Sequence, residues 1–260
     1  MILQEAGIDV DRDIGSSKWH STSFIRADTL EVLKKDLIES DEPQGPSMIS
    51  AHRADLHSAL KRLALNPEGR GHPVTLRGNE NVTGYNPDTG AIYLENGSME
   101  IADLIVAADG VHSIAASLIN ETQCPATATD MAQLRFMLST ETIMNDNLTN
   151  PLLKGGCNDA GFYMLPGSSL QMIRYPCRSG TLQNFGLYIS AETKSVDNTK
   201  LKSTTPKELL RKHMKSLHPA LRRLSDLVSD VSLWQVLARK PVSKLQSGKM
   251  VAVGDASHPM

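Results

Sequence analysis

The segment KMVAVGDASHPM, residues 249–260, joins a short apolar run to a turn of small and polar residues. Residues 250–253 predict a short buried strand, because apolar side chains follow one another until the turn begins. Gly254 comes directly after this strand, and a residue without a Cβ lets the backbone approach a bound molecule closely. Asp255 then offers a carboxylate to a hydroxyl group of that molecule. The segment therefore predicts a ligand-binding turn formed by Gly254, Asp255 and Ala256.

A second segment of the same kind, IADLIVAADGVHS, covers residues 101–113. Its apolar run, residues 101–108, predicts a parallel strand that is buried on both faces. Asp109 and Gly110 end the strand, and residues 111–119 predict a helix. A diphosphate suits such a junction, because helix amides and the positive end of the helix dipole point at it. Since Asp-Gly is also a common turn, an ordinary connecting turn is the alternative for this pair.

A third junction of strand and helix lies between residues 48 and 65. A short strand is predicted for residues 48–52 and a helix for residues 53–65. Arg53 stands at the junction, and its planar, permanently charged guanidinium suits a phosphate group. The alternative is an ordinary surface arginine near the start of a helix.

Residues 130–190 contain short segments in which apolar and polar side chains alternate. This pattern predicts an antiparallel sheet with one packed face and one free face. Arg135 alternates with apolar neighbours, so we expect it on the free face, where it could bind a carboxylate or a phenolate. Tyr175 could hydrogen-bond to a substrate hydroxyl group. Ordinary sheet residues are the alternative for both.

The remaining regions give further predictions of secondary structure. The string TPKE at residues 205–208 is typical of a helix start, with threonine at the N-cap and glutamate three residues after it. A second helix is predicted for residues 219–228, and a strand for residues 231–237. Apolar residues between 30 and 37 have helical spacing. Helices and strands that follow one another in this way predict a mixed α/β protein.

The composition excludes several functional classes. The chain has 260 residues, of which 40% are hydrophobic and 22% are charged, which is ordinary for a globular protein. A net charge of -2 and an aromatic content of 4% do not predict a nucleic-acid-binding surface. The three cysteines lack metal-ligand or redox spacing, so no metal site is predicted, and free thiols favour a reducing, cytoplasmic location. No apolar run approaches the roughly 18 residues of a membrane span.

Three strings occur in the order in which one enzyme family has them. HRADL (residues 52–56), ADLIVAADGVHS (residues 102–113) and VGDASHP (residues 253–259) resemble the flavin-contacting motifs of FAD-dependent aromatic hydroxylases, the salicylate-hydroxylase-like group A flavoprotein monooxygenases. The resemblance covers about residues 48–260. It implies an FAD-binding, Rossmann-like parallel sheet with an inserted antiparallel substrate-domain sheet, within a mixed α/β fold.

The resemblance also implies a division into domains and a set of site residues. Residues 1–128 would form part of an FAD-binding domain, residues 129–235 a substrate domain, and residues 236–260 a return to the FAD-binding domain. The implied catalytic residues are Arg135 and Tyr175. The implied FAD contacts are Arg53, Asp109, Gly110, Gly254, Asp255 and Ala256.

The activity that the resemblance implies is hydroxylation of a small aromatic or phenolic substrate, with FAD as cofactor and with NAD(P)H and O2 as co-substrates. One alternative is an FAD-dependent reductase or dehydrogenase of the same fold, which would not couple NAD(P)H oxidation to hydroxylation. The other alternative is a non-catalytic protein that binds a partner or regulates one.

The sequence departs from the family pattern in three places. No Gly-x-Gly-x-x-Gly string follows a strand near the start, and the sequence ends within its last motif. Both departures predict a fragment that is truncated at both ends and that binds FAD weakly or not at all by itself. Ala116 stands where the family often has an arginine, which argues against the family's usual handling of NAD(P)H.

Overall fold

The computed structural model describes residues 2–38, 48–69, 71–190 and 205–259. Contacts divide the chain into two compact units. The first contains Met1–Val74 and Met131–Trp234, and the second contains Thr75–Asp130 and Gln235–Met260. Each unit has a hydrophobic core of its own. The chain therefore has the mixed α/β fold that the sequence predicts.

One large sheet dominates the first unit. Its strands and their neighbours, numbered along the whole chain, are β1 (Ser17–Lys18), β2 (Ser21–Arg26), β3 (Val32–Leu37), β4 (Ile49–Ser50), β9 (Thr127–Ser139), β10 (Ala160–Met164), β11 (Gln171–Cys177), β12 (Leu182–Ser190) and β13 (Ser232–Ala238). Within the described ranges, seven strands form this sheet in the order β13–β9–β12–β11–β10–β2–β3, and β1 pairs with β4. The pairs β10–β11, β11–β12 and β12–β9 are antiparallel, whereas β2 lies parallel to β10. The chain passes between the two units three times, between Val74 and Thr75, within β9 and within β13.

The antiparallel strands predicted for residues 130–190 are confirmed, and β9 shows why they form. Leu134 and Phe136 are buried, whereas Arg135 between them is exposed. Phe136 lies opposite Phe185 of β12, and the two rings stack with centroids 4.9 Å apart. The alternation of side chains therefore separates a packed face from the face that carries Arg135.

Helices cover the packed face of the large sheet. The helices of the first unit are α1 (Ile2–Glu5), α2 (Arg53–Leu65), α4 (Thr140–Asn145), α5 (Pro206–Met214) and α6 (Pro219–Leu227), with a 3-10 helix at Asn150–Leu153. Leu210 of α5 and Leu221 of α6 are fully buried and belong to the same core cluster as Phe136. Among the described residues, no helix is both long and apolar enough to cross a membrane.

The predicted start of α5 is confirmed by its hydrogen bonds. The Thr205 hydroxyl accepts a bond from the Glu208 amide at 3.3 Å, and the Glu208 carboxylate accepts one from the Thr205 amide at 2.9 Å. This reciprocal pair satisfies amides that a helix start otherwise leaves without partners. It also lowers the pKa of Glu208, mainly through the backbone hydrogen bond from Thr205.

One segment near the start of the chain differs from the sequence prediction. Residues 30–37 were predicted as a helix, but Val32–Leu37 form the edge strand β3, which pairs with β2. The helical prediction was wrong because apolar side chains on both faces of an exposed edge strand can also give helical spacing. Through β2 and β10, Met1–Val74 group with the large sheet.

The second unit contains two small sheets. Its strands are β5 (Val82–Asn86), β6 (Ala91–Leu94), β7 (Met99–Ile101), β8 (Ile105–Ala107), β14 (Gln246–Ser247) and β15 (Met250–Ala252), and its helices are α3 (Ala115–Ile119) and a 3-10 helix at Gly254–Ala256. In the described part of this unit, β5–β6–β7 form an antiparallel sheet, and β14–β15–β8 form a mixed one. β15 and β8 are parallel, with Met250 opposite Ile105 and Ala252 opposite Ala107.

The run predicted as one strand at residues 101–108 is divided between two sheets. Ala102 donates its amide to Gly90, whereas Ile105 donates to Lys249, so the backbone changes partners between β7 and β8. The predicted burial on both faces is wrong for Val106, which is 53% exposed. The helix predicted for residues 111–119 begins only at Ala115, whose amide donates to the Ser113 hydroxyl.

Candidate functional site

Two predicted motifs of the second unit lie side by side. Because β8 and β15 are parallel neighbours, the segments that follow them start at the same edge of the sheet. The Val253 amide donates to the Ala107 carbonyl at 3.0 Å, which carries the pairing up to the turns. We name the segments Asp109–Ser113 and Gly254–Ser257 the paired loops. The carboxyl ends of parallel strands are where α/β proteins commonly bind nucleotides.

Glycine is required in the paired loops by backbone conformation. Gly110 has φ of +84° and Gly254 has φ of +56°, in the region that other residues adopt at a cost. A Cβ added at either position would have no neighbour within 4 Å. The space in front of both glycines is therefore open, and a ligand could approach their backbone.

The carboxylates of the paired loops differ in their contacts. Asp109 accepts a hydrogen bond from the Tyr85 hydroxyl at 3.0 Å, and Asp255 is exposed. Burial and the neighbouring Asp109 carboxylate both raise the pKa of Tyr85. Tyr85 therefore stays protonated and can donate to Asp109 over the physiological pH range. Ala256, a predicted cofactor contact, is fully buried, so only its backbone is available to the site.

A buried arginine that the sequence analysis did not single out connects the paired loops. Arg239, directly after β13, is 9% exposed and donates hydrogen bonds to carbonyl groups of both loops. Its sequence signal was weak, because the residue follows an apolar strand and belongs to no motif.

A cavity in the first unit, of about 390 Å³, brings three of the other predicted residues together. We name it the sheet pocket. Its lining includes Arg53, Arg135 and Tyr175, along with Met137, Asn184, Asp230 and Trp234.

The floor of the sheet pocket is a row across three strands. Met137 of β9 lies opposite Asn184 of β12, which lies opposite Tyr175 of β11. The guanidinium groups of Arg53 and Arg135 and the Tyr175 hydroxyl have no hydrogen-bond or ion-pair partner among the described residues. Two cations and a hydroxyl that face a cavity without partners are suited to an anionic or phenolic ligand.

Arg53 is held at the sheet pocket by an ion pair in the first turn of α2. Arg178, in the turn between β11 and β12, donates two hydrogen bonds to Asp55, at 2.7 and 3.0 Å. The Arg178 guanidinium holds the pKa of the Asp55 carboxyl below its usual range. Arg178 and Ser179 have φ of 49° and 53°, so the turn that presents Arg178 is itself unusual.

Tyr175 is supported by a second aromatic side chain. The Trp19 ring lies 6.1 Å from the Tyr175 ring, and the Trp19 indole donates to the Ser50 hydroxyl at 2.8 Å. Ser50 in turn donates to the Pro176 carbonyl, next to Tyr175 in the chain. These contacts support the Tyr175 ring, and Tyr175 lines the sheet pocket.

Several proteins with curated names are similar to this chain over most of its length. No known protein-family profile matches the chain. The chain is 31% identical over 240 residues to the FAD-dependent monooxygenase phomE of Diaporthe leptostromiformis. The aligned region covers 92% of this chain and 62% of that protein. It is 28% identical over 235 residues to hispidin-3-hydroxylase of Neonothopanus nambi, and that aligned region covers 87% of this chain and 56% of the hydroxylase. FAD-dependent monooxygenases are homologues of this chain. The chain thus spans less than two thirds of the length of these monooxygenases.

A solved structure is similar to this chain in fold. A salicylate hydroxylase in complex with its substrate matches with a TM-score of 0.69 and 19% identity, over 94% of this chain and 58% of the hydroxylase. At this identity the match concerns the fold alone. Among the described residues, no group of three His, Cys, Asp or Glu side chains could hold a metal ion.

Proposed function

We propose that this chain carries the substrate pocket and part of the cofactor site of an FAD-dependent monooxygenase that hydroxylates a small aromatic or phenolic substrate with NAD(P)H and O2. The observation that carries the proposal is the sheet pocket, where Arg53, Arg135 and Tyr175 face one cavity. The names of the homologous hydroxylases support the reaction class.

The paired loops fit FAD by their chemistry. Gly110 and Gly254 leave open space for a close backbone approach, and Asp109 and Asp255 are exposed carboxylates that can accept bonds from ribityl or ribose hydroxyl groups. FAD, when bound, supplies the redox chemistry that connects NAD(P)H with O2. The chain's own residues bind and orient it through these four positions and the backbone of Ala256.

The sheet pocket selects an aromatic anion in this proposal. Arg135 binds a carboxylate or phenolate through charge-assisted hydrogen bonds. Tyr175 bonds to a ring hydroxyl, and Met137 and Trp234 supply apolar surface. Arg53 lines the same pocket. Its contact with FAD remains a prediction, which an FAD titration of an Arg53→Met variant tests.

Oxygen uptake in the presence of FAD, NADH or NADPH and a panel of hydroxybenzoates tests the reaction. A hydroxylated product with one O2 consumed per NAD(P)H supports the monooxygenase. NAD(P)H oxidation without a hydroxylated product would instead favour a reductase of this fold. A chain that binds none of the aromatic acids would favour the non-catalytic alternative, whereas weak FAD binding alone would not, since it is expected of this chain.

A cytoplasmic location is part of the proposal. Cys124, Cys157 and Cys177 are all free thiols. Unpaired cysteines are typical of a reducing compartment. Burial also raises the pKa of Cys177, which keeps that thiol in its unreactive, protonated form.

A further inference from the structure

We propose that Arg239 is a positioning residue that ties the two paired loops together and turns their backbone amides toward a bound dinucleotide. The part of this inference that concerns the dinucleotide rests on the proposed function. The part that concerns the loops stands on contacts within the second unit.

A single guanidinium group reaches both paired loops. One terminal nitrogen, Nη1, donates to the Ala256 carbonyl, in the loop after β15. The other, Nη2, donates to the Val111 carbonyl at 3.1 Å and to the Ser113 carbonyl at 3.2 Å, in the loop after β8. Arg239 therefore forms a cross-link between segments that are far apart in the chain.

The surroundings of Arg239 are unusual for a buried cation. Its side chain has no ion-pair partner in the described ranges, and its Nε atom is buried without a hydrogen-bond partner. A buried charge is costly unless other groups compensate it, and here carbonyl dipoles are the compensating groups. Loss of one loop contact would leave the cation still less compensated, so the arginine and the loops hold each other in place.

The chemistry requires an arginine at this position. The guanidinium is a planar fork whose two ends can donate in different directions at once. A lysine ammonium carries its charge on one nitrogen, and it cannot span the same pair of loops with the same geometry. Lysine should therefore keep the charge and lose part of the cross-link.

The cross-link has a consequence for the side of the loops that faces away from Arg239. In a trans peptide unit the C=O and the N–H point in opposite directions. When Arg239 draws the Val111 and Ser113 carbonyls inward, the amides of His112 and Ile114 are turned away from the buried cation. Outward-facing amides beside Gly110 are groups that bind phosphate oxygens.

The cross-link also restricts the conformational freedom of the glycine backbone in the paired loops. Gly110 and Gly254 need positive φ values, and glycine-containing loops lose much backbone entropy when they become ordered. A bond network that orders both loops before a ligand arrives removes that loss from the binding step.

Hydrogen–deuterium exchange on the full 260-residue chain tests the cross-link without any ligand. Arg239→Met removes the charge and all three bonds, and Arg239→Lys keeps the charge. Arg77→Met is the matched control, because Arg77 is an exposed arginine of the same unit that pairs with Glu80 and Glu100.

We expect Arg239→Met to accelerate exchange at least about tenfold in peptides from both paired loops, because all of its charge-assisted bonds are lost. Arg239→Lys should give a rate between those of Arg239→Met and the wild type, because it loses only part of these bonds. Peptides from β9 and β12 and the Arg77→Met control should not change. Unchanged exchange in either loop overturns the cross-link. If Arg239→Met does not fold, the exchange rates of Arg239→Lys test the proposal instead. Rates in Arg239→Lys that are identical to those of the wild type would overturn it.

Affinities for FAD and for riboflavin, measured by flavin fluorescence, test the orientation of the amides. Riboflavin lacks the diphosphate, so Arg239→Met should weaken FAD binding at least about tenfold more than riboflavin binding, since phosphate-facing amides are lost. An equal loss for both flavins overturns the positioning role. Weak or absent FAD uptake by the wild-type chain is already expected from its sequence, and in that case the exchange experiment alone judges Arg239.

Discussion

The sheet pocket and the paired loops are built by different means. The pocket is made of side chains on the large sheet and at the start of α2, and its guanidinium groups have no partners among the described residues. The paired loops are made of backbone held in unusual conformations, with the Arg239 guanidinium and the Tyr85 hydroxyl bonded to them. Substitutions in the pocket should therefore change ligand affinity with little effect on stability. Substitutions in the loops should change conformation and affinity together.

The largest effect should come from breaking the sheet that carries the pocket. Phe185→Ala removes a fully buried ring that stacks on Phe136, and such changes cost about 3–5 kcal/mol of unfolding free energy. Urea denaturation followed by circular dichroism measures the loss. Met137→Ala, on the opposite face of the sheet and 42% exposed, is the control and should cost far less. Equal losses for the two variants would contradict the division into a packed face and a pocket face.

The next effect concerns affinity in the sheet pocket. Arg135→Met should weaken the binding of a hydroxybenzoate by about 10- to 100-fold, since a hydrogen bond to a charged group contributes about 1.5–3 kcal/mol. Calorimetric titration measures it, and unfolding free energy should change by no more than about 0.5 kcal/mol because the residue is exposed. Arg211→Met, an exposed arginine of α5, serves as control. A loss of stability without a loss of affinity would argue against the pocket.

A smaller effect separates backbone strain from ligand binding in the loops. Gly254→Ala should cost about 1–2 kcal/mol of unfolding free energy, because the new residue is forced into the left-handed region. Gly97→Ala imposes the same kind of strain at φ of +85°, also with open space around the Cβ, in the turn between β6 and β7. Both variants should lose similar stability, but only Gly254→Ala should weaken FAD binding. Equal FAD affinities would remove Gly254 from the site.

The smallest effect is a pH-dependent one at the ion pair that holds α2. Asp55 has its pKa lowered in the folded chain, so the pair stabilises the fold above the ordinary pKa of aspartate and loses this contribution as the pH falls through the lowered value. Asp55→Asn should therefore destabilise the chain slightly near neutral pH and not in acid. Arg178 is 47% exposed, which keeps the effect small. A double-mutant cycle with Arg178→Met isolates the pair, and a loss that is independent of pH would refute this assignment.

Much of the fold could be predicted because local signals agreed with the final structure. The alternation in β9 and the capping box of α5 are encoded within a few residues, and both are confirmed. The two loop motifs were also visible as strings, although their adjacency depends on the pairing of β8 with β15.

The rest required tertiary contacts. β3 was mistaken for a helix because only its pairing with β2 makes it a strand. Arg53, Arg135 and Tyr175 were chosen separately, and their convergence depends on sheet register and on the Arg178–Asp55 contact. Arg239 was missed because its carbonyl partners come from two distant loops, and no spacing in the sequence reveals carbonyl groups as partners.

The parallel pairing of β2 with β10 has a consequence for how the chain acquires its structure. The hairpin of β11 and β12 joins neighbours in the chain, whereas Phe24 of β2 must find Phe162 of β10 after a long intervening segment has been made. Contacts between distant residues close slowly, because the entropy of the connecting loop is lost before the contact forms. On the ribosome, β2 and its neighbour β3 therefore cannot join the sheet until β10 has been made.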